Sequence, residues 1–328
     1  MNKGKLICWL LVAFCLLTGC EKVVFEEDES SEATHGNIIL NVAGYEAYKG
    51  GVRSTANLTD VCTRLHFVIY QDGKRKKTIT QKKGDDNFGR VELSLDAGDY
   101  EVLILGHSCE GKSPTISDAN NQIQFSNITD SGSGTGYSDT FFLYDYLTVG
   151  DEPQSHQYTL QRATAMFRLV TNDVKPANVK KFWFSYEGGS KALDFYTGLG
   201  ASKSQAQMVT FDTPEDLDGQ TLQFELFTFP RGEAGELKVE VRAFDDKGVL
   251  VYNRFFNNVP IERNVITQYT GTFFTGIEYE EEPETEKTPD TPDTPTPVTP
   301  ENPETPQDSP ACTFLVDTDW AETRNFTY

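Results

Sequence analysis

The sequence predicts an all-β protein made of two β-sandwiches in tandem. Three observations carry this: many short runs of β-branched and aromatic residues separated by Gly, Asp and Asn; tight-turn sequences between them; and no stretch with a sustained helical period. The 328 residues suffice for two domains of ordinary size, each with its own core, once signal and tails are set aside.

The chain opens with Lys3 and Lys5, an apolar run from Leu6 to Leu17, and then Leu17-Thr18-Gly19-Cys20. Such a run is too short to span a bilayer as a helix, and a small residue pair directly before cysteine suits cleavage that makes Cys20 the new terminus. Residues 1–19 therefore read as a signal peptide and Cys20 as the lipidation site of a bacterial lipoprotein, carrying acyl chains such as palmitate. Two or more chains hold a protein stably at a membrane, where one holds it only marginally. Residues 20–36 are polar and acidic, with Glu26-Glu27-Asp28-Glu29, and form the expected flexible spacer.

Folded sequence begins at 37. Runs at 36–42, 65–70, 91–95, 100–105, 123–128 and 140–149 are the expected strands of a first sandwich over residues 37–155. Asp72-Gly73 and Ala97-Gly98-Asp99 supply turn chemistry. Asp96-x-Gly98-x-Tyr100 leading into a strand suggests a tyrosine whose hydroxyl fastens a turn. Runs at 163–170, 181–186, 222–229, 237–244, 249–256 and 264–274, with the turn Asp245-Asp246-Lys247-Gly248, give a second sandwich over residues 156–277. From 278 to 311 the chain changes character. Nine of its fifteen prolines fall there among Thr, Glu and Asp, which is the composition of an extended, disordered linker. Residues 312–328 are less polar and form a candidate donor strand, with Phe314, Leu315, Val316 and Trp320 as its apolar side chains.

The formal charge is −21, and loss of Lys3 and Lys5 takes the mature chain to about −23, which argues against nucleic acid as a partner. Four cysteines outlast the signal, and Cys20 is consumed by lipid. Cys62 precedes one strand and Cys109 follows another, so they are a candidate disulfide closing a loop worth about 4 kcal/mol in the chain-entropy model; two free thiols are the equal alternative. Metal and cofactor sites are not expected. His35, His66, His107 and His156 stand at no ligand spacing, and Asp130, Asp139, Asp145 and Asp151 fit no calcium loop. Gly106-His107-Ser108-Cys109 lacks the second glycine of a nucleophile elbow, where Glu110 stands. No enzyme is expected.

Several motifs occur in one order along residues 1–276: the lipobox, Cys62-x-x-Leu65-x-Phe67-x-Ile69-Tyr70 with Gly73-Lys74, Gly98-Asp99-Tyr100, Leu105-Gly106-His107-Ser108, Leu160-x-Arg162-x-x-Ala165-x-Phe167-Arg168, and Thr197-Gly198-Leu199-Gly200. In this the chain resembles the FimB-type fimbrial anchor and assembly lipoproteins of Bacteroidales. The resemblance implies transthyretin-like (Greek-key) sandwiches, a surface-exposed lipid anchor in the outer membrane, and a place in a fimbrium with shaft or tip subunits as partners. It implies strand exchange between subunits, with the segment 313–328 donated to a shaft subunit. Arg53, in an expected exposed loop, is a candidate for proteolysis that the reading leaves uncut. The alternative is a surface lipoprotein binding carbohydrate or host protein without catalysis, for which Trp183, Tyr186, Tyr196 and Trp320 are the candidate stacking rings.

Overall fold

The computed structural model describes residues 36–49, 52–109, 114–125, 138–201, 206–275 and 320–328. Cys20, the linker, and Phe314, Leu315 and Val316 lie outside the described residues. Within them the regular structure is strand, interrupted only by single 3₁₀ turns at Leu58–Asp60 and Glu215–Leu217, and no helix is long and apolar enough to cross a membrane.

The first sandwich comprises β1 (Ile38–Lys49), β2 (Val52–Ala56), β3 (Arg64–Gln71), β4 (Lys74–Lys82), β5 (Arg90–Leu93), β6 (Gly98–His107), β7 (Thr115–Ser117), β8 (Gln122–Gln124), β9 (Thr140–Val149) and β10 (Gln154–Arg162). One layer is β5-β1-β10, with β1 and β10 parallel, and the other is β4-β3-β6-β9. The second comprises β11 (Ala165–Thr171), β12 (Lys181–Glu187), β13 (Ala192–Asp194), β14 (Gln207–Asp212), β15 (Gln223–Thr228), β16 (Ala234–Phe244), β17 (Leu250–Glu262), β18 (Val265–Gly271) and β19 (Glu322–Thr327). Its layers are β15-β11-β18-β19 and β14-β12-β16-β17. Leaving aside β2, β7, β8, β13 and β19, both halves thread seven strands in one order, with the first strand in the middle of one layer and the last strand parallel to it at that layer's edge. The expected tandem transthyretin-like sandwiches are thus present.

Alternation of side chains across each strand builds the cores. In the first sandwich Phe67, Ile69, Val102, Ile104, Phe141 and Leu147 face inward. In the second, Phe167, Phe182, Phe184, Phe224, Val241 and Phe273 do the same. Tyr100 behaves as its motif suggests: the ring is buried and its hydroxyl donates to the Asp96 carbonyl at 3.0 Å.

A third core joins the halves. The other face of β3, β6 and β9 offers Val68, Leu103, Leu105 and Phe142, which pack against Met166, Leu193, Phe195, Phe229 and Ile266. A small sheet β7-β8-β13 crosses the joint, pairing Leu193 with Ile123. Gly198 shows how close the halves come. It has a φ of 69°, and a Cβ there would stand 1.7 Å from the Phe142 ring.

The structure moves the expected boundary at residue 155. Gly150-Asp-Glu-Pro153 has linker composition, yet it only turns β9 into β10, which completes the first sandwich. The division falls at Ala163 and Thr164, both held: Ala163 N–H donates to Thr140 and Asn264 N–H donates to Thr164. Arg53 likewise lies in β2 rather than in a loop, exposed but ion-paired with Glu46 at 2.6 Å.

Candidate strand-acceptor site

Strand β18 is built from Val265, Ile266, Thr267, Gln268, Tyr269 and Thr270, the β-branched and aromatic composition that favours a pleated, half-buried surface. One edge pairs in parallel with β11. The other takes β19, also in parallel, from Val265 opposite Glu322 to Thr270 opposite Thr327. Asn264, in the left-handed region at φ 63°, turns β17 into β18, and its carbonyl accepts from Ala321 N–H at 3.0 Å. At the far end the ring of Tyr328 meets Phe256 at 5.0 Å and packs on the second core. Gly271 makes room there: a Cβ would lie 2.2 Å from the Tyr328 carbonyl oxygen. Between these ends Phe326 stacks on Tyr269 at 5.0 Å, and Arg324 bridges Glu262 and Glu322 at 2.7 and 2.8 Å.

Trp320 enters the joint just before β19. Its ring lies 4.0 Å from the guanidinium carbon of Arg162, which also faces Phe141 at 4.9 Å and Tyr45 at 5.4 Å. Arg162 is buried, and its Nε donates to both Asp139 oxygens at 3.0 and 2.9 Å while Nη1 donates to Asn264 Oδ1 at 2.6 Å. Thr164 Oγ1 donates to the same carboxylate at 2.8 Å. A buried ion pair survives only when its remaining donors and acceptors are satisfied. Here residues before β9, at the end of β10, at the domain division, and in the β17–β18 turn do so together, and the Trp320 ring covers one face of the guanidinium. The terminal strand is therefore fastened to the seam between the halves as well as to β18.

The sequence suggests that the segment 312–328 forms a strand donated to a partner subunit. Among the described residues β19 spans Glu322–Thr327 and pairs with β18 of its own chain, while Phe314, Leu315 and Val316 lie outside the described residues. Trp320 is no open stacking ring but a buried one, and Tyr186 is buried with its hydroxyl on the Phe227 carbonyl at 3.1 Å. Trp183 leans on Arg242 at 4.8 Å, while Tyr196 remains 45 % exposed.

Cys62 and Cys109 are free rather than bonded. Cys62 belongs to the core of the first sandwich and Cys109 to the joint, on opposite sides of the β3–β6 sheet, so the spacing that suggested a bond hid the pleat. Burial raises both thiols above their ordinary range, which holds them protonated and unreactive.

His66 and His107 form a buried pair that spacing did not reveal, their Nε2 atoms 2.9 Å apart. Cys109 N–H donates to His107 Nδ1, so His107 carries its proton on Nε2 and gives it to His66 Nε2. His66 then donates from Nδ1 to Thr80 Oγ1 at 3.0 Å. Burial keeps both rings neutral, lowering His66 well below the usual histidine range and His107 to about 3. Only the β3–β6 register, which sets His66 opposite Leu105 and Arg64 opposite His107, brings them together. Among the described residues no three His, Cys, Asp or Glu side chains gather as a metal site.

The chain resembles several solved structures at low identity. With a candidate adhesin from Bacteroides ovatus it shares 12 % identity over 85 % of this chain and 100 % of that one, with a TM-score of 0.46. With a candidate adhesin from Bacteroides thetaiotaomicron it shares 17 % over 68 % and 81 %, with a TM-score of 0.41. With the fimbrial anchor protein Mfa2 from Porphyromonas gingivalis it shares 10 % over 66 % and 80 %, with a TM-score of 0.37. At these scores the likeness is too distant to transfer a role. No curated protein matches the sequence. Residues 29–288, which include both seven-strand sandwiches but not β19, match the profile of a family of unknown function, DUF6562, and the chain belongs to that family.

Proposed function

We propose that this is a non-catalytic surface protein of the adhesion and fimbrial kind, resembling the FimB type: lipid at Cys20 holds it to the outer membrane, and strand exchange joins it to fimbrial shaft or tip subunits. The observation that carries the reading is the β18 edge, which accepts an added strand along its whole length. Backbone pairing supplies affinity at such an edge, and side chains such as Tyr328 in its recess supply register. The chain's own end fills the edge as the resting arrangement. A segment long enough to leave separates β19 from the second sandwich, so the same end can be given to a neighbour, or the edge can receive one. A rigid joint between the sandwiches suits a part that transmits load, since a large apolar seam opposes hinge motion.

The test is made in cells. Cys20→Ser should move the protein and its attached fimbriae from the membrane fraction to the medium, and removal of residues 312–328 should leave the protein on the membrane without fimbriae. Fimbriae that stay cell-bound with Cys20→Ser would overturn the anchor, and fimbriae unchanged by the truncation would overturn strand exchange.

A further inference from the structure

On the outer face of β9, beyond the reach of the joint, the side chains pass from buried to open. Phe142 lies under the second sandwich, Tyr144 is half-buried at its border, and Tyr146 is 73 % exposed. Glu101 of β6 stands directly across from Tyr146. From the second sandwich comes the turn after β13. Its Phe195 packs between Tyr70 at 5.8 Å and Tyr144 at 6.2 Å, and the next residue is the exposed Tyr196. The rings of Tyr146 and Tyr196 both stand nearly upright on that of Tyr144, at 79° and 83°, with centroids 5.8 and 4.7 Å away. The result is a shelf with Tyr144 as its floor and one exposed ring from each neighbouring position.

The shelf is held before any ligand arrives. Asp194 Oδ1 accepts from Tyr196 N–H, Thr197 N–H and the Thr197 hydroxyl at 3.1, 2.9 and 3.0 Å, and Gly198 seals the turn against Phe142. Such preorganisation removes an ordering cost from binding. One group in it is unfinished. The Tyr144 hydroxyl is shielded from water and lies within reach of Glu101 and Tyr196, yet meets neither in full hydrogen-bond geometry. Buried polar groups normally have partners, and an exception calls for a cause.

The geometry points to a binding site for a neutral polysaccharide, with Tyr146 and Tyr196 stacking on the C–H faces of sugar rings and the Tyr144 hydroxyl and Glu101 meeting a sugar hydroxyl. Exposed aromatic faces flanking a few convergent polar groups form the usual lining of a small-ligand site. A sugar hydroxyl accepts from the phenol while donating to the carboxylate; an ammonium or guanidinium only donates. Glu101, on a chain of net charge −21, disfavours anionic glycans. Since both sandwiches supply rings, the site exists only while the joint is closed. It stands apart from the fimbrial reading and does not need it.

The test uses the full mature chain with Cys20→Ser, run by affinity electrophoresis through gels holding mannan, galactomannan or mixed-linkage β-glucan, with polygalacturonate and polylysine gels as comparators. Retardation is expected in at least one neutral gel. Tyr146→Ala and Tyr196→Ala should each weaken it about tenfold, about 1.4 kcal/mol, while Tyr146→Phe and Trp183→Ala leave it unchanged. Tyr146 is exposed, so its variants should melt as the parent does. No retardation in any neutral gel, retardation that Tyr146→Ala leaves intact, or retardation by polylysine alone would each overturn the proposal.

Discussion

The first and last strands of each seven-strand order lie side by side, β1 with β10 in one half and β11 with β18 in the other, but the outer edges of β10 and β18 differ. Along β10, Gln154, Ser155, His156 and Gln157 leave an edge that, among the described residues, carries no further strand until Gln161 and Arg162 meet β9. Along β18, Val265, Ile266 and Tyr269 make an edge that β19 covers from end to end. A polar edge is protected from adding foreign strands by its own side chains, whereas an apolar one must be covered. Two domains of one topology have thus become unlike at this edge.

The largest expected effect breaks that difference. Removing residues 320–328 bares β18 and strips Trp320 from Arg162. Loss of a buried Trp alone typically costs about 3–5 kcal/mol, and the lost strand adds to it. Amide hydrogen exchange should then quicken throughout β18 and at the joint while β10 keeps its protection, and size-exclusion chromatography should show self-association. Equal exchange in β18 before and after the truncation would mean that β19 contributes nothing to the edge.

A second contrast is chemical. The second sandwich contains no histidine, while the first buries His66 and His107 toward the joint. Both are held neutral, with folded pKa values below the unfolded value of about 6.5. Below that value the unfolded chain binds protons that the folded chain refuses, so stability falls with pH from about 6.5 toward about 3. His107 alone contributes a slope of about 1.4 kcal/mol per pH unit, and His66 acts in the same direction. Urea unfolding at pH 7 and pH 4.5 measures the loss, and the double variant His66→Leu/His107→Leu should lower stability at pH 7 but flatten the slope. An unchanged slope in that variant would assign the acid sensitivity to carboxylates instead.

The sequence was most informative where one strand's own pattern decides its fate. The runs at 65–70, 140–149 and 181–186 match β3, β9 and β12 within a residue. It failed for β4, whose Lys74, Lys76 and Lys77 look like a loop but suit an exposed edge, and for β2, whose Gly50-Gly51 lead suggested a loop around Arg53. The joint was hidden for a different reason. Phe142 carries the same alternation as any core strand, Phe195 and Phe229 stand just past strand ends, and which sandwich buries them depends on packing between domains. The candidate site was half legible: an apolar end on a long arm suggested a strand, but neither its start at Glu322 nor its return to its own β18 is written in local composition.

The smallest effect sharpens a difference at the turn before the fifth strand of each order. In the first sandwich Tyr100 fastens that turn, its hydroxyl on Asp96. In the second the equivalent strand opens Ala234-Gly235-Glu236-Leu237, with no tyrosine to do the same. Tyr100→Phe keeps the buried ring and removes one hydrogen bond of ordinary worth, about 1 kcal/mol. The Asp96 carbonyl lies at a turn where water can replace the lost donor, which keeps the cost near that figure. The loss should appear in the first sandwich alone, as faster exchange of amides around Asp96 and Gly98 with those of β16 unmoved. A cost of several kcal/mol would show that the corner instead holds the β5–β6 connection closed against the whole core.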